Sequence, residues 1–174
     1  ILFFFIVFYR EFASRYRGRL KTGAVLGMTG AVLLIPGYLL KMTHYFISRY
    51  PSAPDLRIIP IDAILPWISS ILFLMFFVTL YMEMHQAGNE KLKEASLWAV
   101  LGSSMSFLVM TYTLINYIVL GGLAFRMLKG TNIALLLLPF TGAGFAATLY
   151  FYIVFYREIW HSRERSLQNA KNPV

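Results

Sequence analysis

The residues best suited to chemistry lie on one apolar stretch, 96–120. Ser103, Ser106, Thr113 and Asn116 recur there at spacings of three, seven and three, which sets them near one face of a helix. Ser104 and Thr111, seven apart, form a neighbouring stripe. Asn116 is the most costly of these to turn toward lipid, so the pattern directs it to protein or to a cavity. With Tyr117 beside it, the group is a candidate binding site for a quinone, a lipid or another small ligand. Hydrogen bonding between helices is the commoner use of such residues.

Other chemistry finds little purchase. Ser69 and Ser70 are adjacent, but their apolar stretch holds no His, and its one Asp, Asp62, lies at the end of the stretch rather than within the membrane where it could activate a hydroxyl. The sequence has no HExxH, no GxSxG, no Gly-rich phosphate loop and no Cys, which excludes thiolate metal sites and Cys nucleophiles. His44, His85 and His161 sit at the ends of apolar stretches. A haem between helices would need two facing His at one depth, and His85 with His161 is the pair that could share one. Their charged surroundings make interfacial, solvated His the default. No catalytic residue, no metal site and no cofactor beyond a quinone or lipid contact is predicted.

These groups sit in a chain of 174 residues that is 58% hydrophobic, 17% aromatic and 14% charged. An average soluble domain carries about 25% charge. Here the charges gather in clusters between apolar runs at about 22–40, 61–82, 96–120 and 132–156, each the length of a bilayer-crossing helix. A shorter run, 1–9, reads as the end of a further span, and an N-terminus incomplete at Ile1 is expected. The predicted fold is all-α: a polytopic transmembrane helix bundle forming a single domain, followed by a tail at 157–174. The centres of the complete spans lack Asp, Glu, Lys, Arg and His. That argues against a proton pump, a carboxylate-driven antiporter or a voltage sensor.

The net charge of +8 flanks the spans, so membrane lipid headgroups and not nucleic acid are the expected partners. Arg10, Arg15, Arg17, Arg19, Lys21, Lys91, Lys93, Arg157, Arg163, Arg165 and Lys171 fall on one side. Lys41, Arg49, Arg57, Arg126 and Lys129 fall on the other. The positive-inside rule places the first set in the cytoplasm of a bacterium or the matrix side of an organellar inner membrane. The longest extramembrane segment, 41–60, carries Pro51, Pro54 and Pro60 and reads as an irregular loop.

An internal repeat underlies the spans. IVFYRE occurs at 6–11 and again at 153–158. Its wider form, Tyr-x-Glu-x8-Leu, appears as Tyr9, Glu11 and Leu20, as Tyr81, Glu83 and Leu92, and as Tyr156, Glu158 and Leu167. The copies are 72 and 75 residues apart, and Met82 replaces the Arg in the middle one. A fixed period of this length predicts a repeated two-helix unit and a protein of six spans. The plainer alternative is three helix ends sharing interfacial chemistry. Gly23 with Gly27, and Gly142 with Ala146, form small-residue faces for close helix packing, as does Ala143 with Ala147. Pro36 and Pro139 are expected to kink their helices.

Lack of catalytic groups, small loops and glycine faces predict a non-catalytic membrane subunit of a respiratory, photosynthetic or transport assembly, in contact with other membrane subunits. A sensor or receptor module with a cytoplasmic output domain is the first alternative. A small carrier or substrate-binding component, using the 96–120 polar face, is the second.

Overall fold

The computed structural model describes residues 1–12, 18–47, 61–119 and 133–171. The helices are α1 (Leu2–Val7), which runs on into a π-helical turn (Phe8–Phe12), α2 (Gly18–Ile47), α3 (Ile61–Gln86), α4 (Glu90–Val119) and α5 (Ile133–Lys171). Four stretches are long and apolar enough to cross a membrane: Gly18–Leu40, Ala63–Gln86, Glu90–Ile115 and Leu138–His161. The fold is the all-helical membrane bundle that the apolar runs predict.

The helices outlast those runs. α4 starts at Glu90 rather than near 96, and α5 continues through 157–171, so the tail begins as helix. A bilayer limits the apolar residues a span needs. It does not limit backbone hydrogen bonding, and Glu, Lys and Arg propagate a helix well. What ends α3 is local chemistry. Gly88 takes φ +68°, a left-handed conformation that suits Gly. The Asn89 amide reaches back to the Met84 carbonyl (3.2 Å), and the Asn89 side chain then caps α4 by accepting from Leu92 N–H (3.2 Å). α2, α3 and α5 each run as one helix through Pro36, Pro66 and Pro139. Of the 41–60 segment, α2 takes the residues through Ile47 and the remainder lies outside the described residues.

Burial follows the repeat. Phe4, Phe5 and Phe8 are buried, and so are Phe76, Phe77 and Leu80, their counterparts 72 residues on. Leu20, Ala24 and Ala31 likewise match buried Leu92, Ser96 and Ser103. Another 75 residues along, Phe151 and Phe155 are buried and Tyr152 is half-buried. α1, α3 and α5 are therefore equivalent inner helices, and α2 and α4 equivalent outer ones.

The inner helices meet through a closed ring of aromatic contacts. Phe5 of α1 meets Phe76 of α3 edge-on (4.8 Å, 83°). Phe77 of α3 meets Phe151 of α5 (5.2 Å, 78°). Tyr152 of α5 returns to Phe4 of α1 (4.7 Å, 77°). Each contact joins the second ring of one copy to the first ring of the next, which is an approximate three-fold arrangement. Edge-to-face pairs at these distances are the favoured aromatic geometry.

Candidate functional site

The polar face of α4 is occupied with its own helix. Ser103 Oγ donates to the Val100 carbonyl (3.0 Å), Ser106 Oγ to Gly102 (3.1 Å) and Thr113 Oγ1 to Val109 (2.8 Å). Such back-bonding satisfies a hydroxyl in an apolar medium without a partner helix. Ser103 is buried, and Ser106 and Thr113 are half-buried. The backbone of Asn116 and Tyr117 continues α4, while their side chains lie outside the described residues.

The hydroxyls that do cross between helices lie elsewhere. Ser69 Oγ of α3 donates to the Gly30 carbonyl of α2 (2.6 Å, buried). The Trp67 indole N–H of α3 donates to Thr111 Oγ1 of α4 (2.9 Å). Ser70 stays local, donating to the Trp67 carbonyl (2.7 Å). Ser69→Ala is expected to lower stability by about 1 kcal/mol, the scale of a hydrogen bond between membrane helices. Ser70→Ala is expected to change it by less than about 0.5 kcal/mol. Denaturant titration in micelles separates the two.

Close approach explains the glycines. A Cβ on Gly23 would meet Thr79 at 3.3 Å, and one on Gly27 would overlap the Phe5 ring, so both members of the first pair lie against neighbouring helices. The second pair does not. Gly142 has open space around it and Ala146 is exposed. α5 instead approaches α4 through Gly144, Ala147 and Thr148, which crowd Gly102. Small residues four apart mark a face that can be approached closely, but the neighbouring helix selects the face. Gly37, outside both small-residue pairs, is approached as closely and meets Pro66 of α3. The signal was present: Gly23, Gly30 and Gly37 are seven residues apart, a heptad seam along α3.

The repeated motif gathers at one end of the bundle, but its copies differ in burial. Tyr9 and Glu11 are exposed, with Glu11 3.7 Å from Arg10. Tyr156 is exposed and Glu158 half-buried. Tyr81 is half-buried and lies parallel to His85 (6.3 Å, 5°). Glu83 is buried, at 7% exposure, with no side-chain hydrogen bond or ion pair among the described residues. Its copy is the one in which Met82 stands in place of Arg. A buried carboxylate without a partner is costly, and an apolar residue of similar volume is commonly better tolerated. Glu83→Met is therefore expected to raise the unfolding free energy by about 1 kcal/mol or more. A fall would show that a cation pairs with this carboxylate in the membrane. The motif's Leu20 and Leu92 are both buried, so that position serves packing, and the Leu167 side chain lies outside the described residues.

Among the described residues no three His, Cys, Asp or Glu side chains gather as a metal site would require. His85 and His161 are both exposed, and the His44 side chain lies outside the described residues. The chain matches no family model, no curated protein and no solved structure.

Proposed function

We propose that this chain is a non-catalytic integral membrane subunit of a larger assembly of the respiratory, photosynthetic or transport kind, in a bacterial or organellar inner membrane with its basic end on the cytoplasmic or matrix side. Its work is packing and anchoring, with a lipid or quinone contact at the end of α4 near Asn116 and Tyr117. The observation that carries this reading is the bundle axis. Phenylalanine rings from α1, α3 and α5 fill the place where a carrier or an enzyme would keep a polar path. The hydroxyls of Ser103, Ser106 and Thr113 on α4 are bound to its own carbonyls, and Thr111 holds the Trp67 indole.

The test is isolation of the full-length protein from its native membrane in mild detergent. The expected result is a particle holding distinct membrane polypeptides in fixed ratio. A chain that purifies alone and moves a solute across liposomes would end the proposal.

One observation favours a second reading, a sensor module. α5 is a single helix of 39 residues that runs from the bundle through Lys171. A continuous helix is a stiff link from membrane to an output domain. Helix-breaking Pro residues at 164 and 168 would then abolish signalling while leaving the bundle's melting temperature unchanged.

A further inference from the structure

The hexapeptide shared by 6–11 and 153–158 is identical at positions that packing does not use. Of its residues only Phe8 and Phe155 are buried. Ile6, Tyr9 and Arg10 are exposed on α1, and Ile153, Tyr156 and Arg157 are exposed on α5. Ring contacts put matching residues at matching height, with Phe4 6.0 Å from Phe151 and Phe8 5.3 Å from Phe155. The backbones differ, since Phe8–Phe12 is π-helical while α5 is α-helical throughout, yet the same side chains face outward. Immediately beyond the hexapeptide the copies diverge, with Phe12 and Ala13 standing where α5 has Ile159 and Trp160. A shared packing arrangement asks for Phe at the buried position. It does not ask for Ile, Tyr and Arg at the exposed ones.

α3 shows what the outward face of an inner helix meets. It has an outer helix on each side: Gly23 of α2 packs against its Thr79, and Thr111 of α4 holds its Trp67. Val78 and Met82, which correspond to Ile6 and Arg10, nevertheless stay exposed (36% and 57%). The outward face therefore meets lipid even on an inner helix flanked on both sides. α1 and α5 present theirs in the same way, whatever lies over the interval between them.

Along that face the side chains follow the order of a lipid. Ile6 and Ile153 lie toward the acyl chains, and the Tyr three residues on marks headgroup depth. The long Arg side chain beside it reaches the phosphates. The middle copy keeps the apolar residue and the ring, as Val78 and Tyr81, but has Met82 in place of the cation. A guanidinium matches phosphate in charge and in planar, two-pronged geometry. The adjacent carboxylate does not prevent this. Arg10 lies 3.7 Å from Glu11 with both side chains exposed, and an ion pair of that kind contributes little.

We propose that Arg10 and Arg157 each hold the phosphate of one anionic phospholipid, so that α1 and α5 carry a fixed lipid apiece and α3 carries none. An anionic lipid is favoured because its headgroup has no cation of its own to neutralise the phosphate. The two sites need only the membrane-spanning bundle, so they extend the subunit reading without depending on any partner.

Native mass spectrometry of the full-length protein tests this, after equilibration in micelles with equal amounts of phosphatidylglycerol and phosphatidylcholine. The expected result is two retained phosphatidylglycerols. Arg10→Met and Arg157→Met, which copy the middle repeat, should each leave one, and the double variant none. Met82→Arg should add a third. Melting temperatures should match the parent, since all three positions are exposed. Equal retention of the two lipids would overturn the proposal, as would a double variant that keeps both phosphatidylglycerols or a Met82→Arg variant that gains none. Displacement of the lipid by millimolar inorganic phosphate would also overturn it, by marking a site for free phosphate. Every count is made on the isolated chain, so its failure is distinct from failure to find partner subunits in the native particle.

Discussion

Phe4→Ala is expected to lower the free energy of unfolding by about 3 kcal/mol, within the range for truncating a buried Phe. Phe4 is 4% exposed and touches rings on all three inner helices: Phe5 and Phe8 on its own, Phe76 on α3, and Phe151, Tyr152, Phe155 and Tyr156 on α5. In a bilayer the loss is not one of hydrophobic transfer, because lipid is as apolar as the core. It is the loss of dispersion and edge-to-face contacts around a void that the surrounding rings are too rigid to fill. Phe76→Ala and Phe151→Ala remove the counterparts in the other two copies and should cost comparable amounts. Phe145→Ala, at a side chain 71% exposed, should stay within about 0.5 kcal/mol of the parent. Denaturant titration in micelles, followed by tryptophan fluorescence, measures all four. Equal small losses at Phe4 and Phe145 would show that the ring does not hold the bundle together.

The second large effect is at the α4–α5 crossing. Gly102→Val is expected to cost about 3 kcal/mol, the upper part of the range for overpacking. A Cβ there would sit 2.6 Å from the Gly144 carbonyl oxygen and 2.8 Å from Thr148 Oγ1. The first of these is backbone, so relief requires the two helices to separate. Gly142→Val, on the same helix as Gly144 but facing open space, should leave the melting temperature unchanged apart from a small propensity term. Together the two variants locate the contact face of α5. Similar losses at both would place Gly142 in the interface after all.

Much of this architecture is legible in the sequence. Four apolar runs bounded by charge leave few alternatives to four helical spans, because runs of about 20 apolar residues fit a bilayer-crossing helix and are too long for the strand of a closed barrel. The inner helices were legible too, through the spacing of Tyr9, Tyr81 and Tyr156. Stepping back five residues from each Tyr reaches Phe4, Phe76 and Phe151, the first rings of the closed contact. The helix ends were harder to place. Glu90, Lys91, Lys93 and Glu94 mark a water boundary, yet they sit within α4 because the turn depends on Gly88 and Asn89. The contact face of α5 is hard to place from sequence for a related reason. Gly142 with Ala146 and Gly144 with Ala147 are nearly equivalent in composition, and nothing in α5 alone says where α4 lies. The α4 stripe illustrates a third limit. Ser103, Ser106 and Thr113 share a face as their spacing requires, but a hydroxyl can turn back to its own carbonyl, and spacing carries no information about that choice.

The two outer-helix contacts are alike in shape but not in how firmly they are fastened. Where Gly30 crosses α3, the Ser69 hydroxyl ties the two helices together. Where Gly102 crosses α5, the residue corresponding to Ser69 is Gly144, and the nearby hydroxyls of Ser106 and Thr148 are turned to their own helices. The first crossing is held by a hydrogen bond as well as by fit, and at Gly102 it is the fit against the Gly144 backbone that holds α4 to α5. α5 carries that fit on toward Lys171 as one unbroken helix.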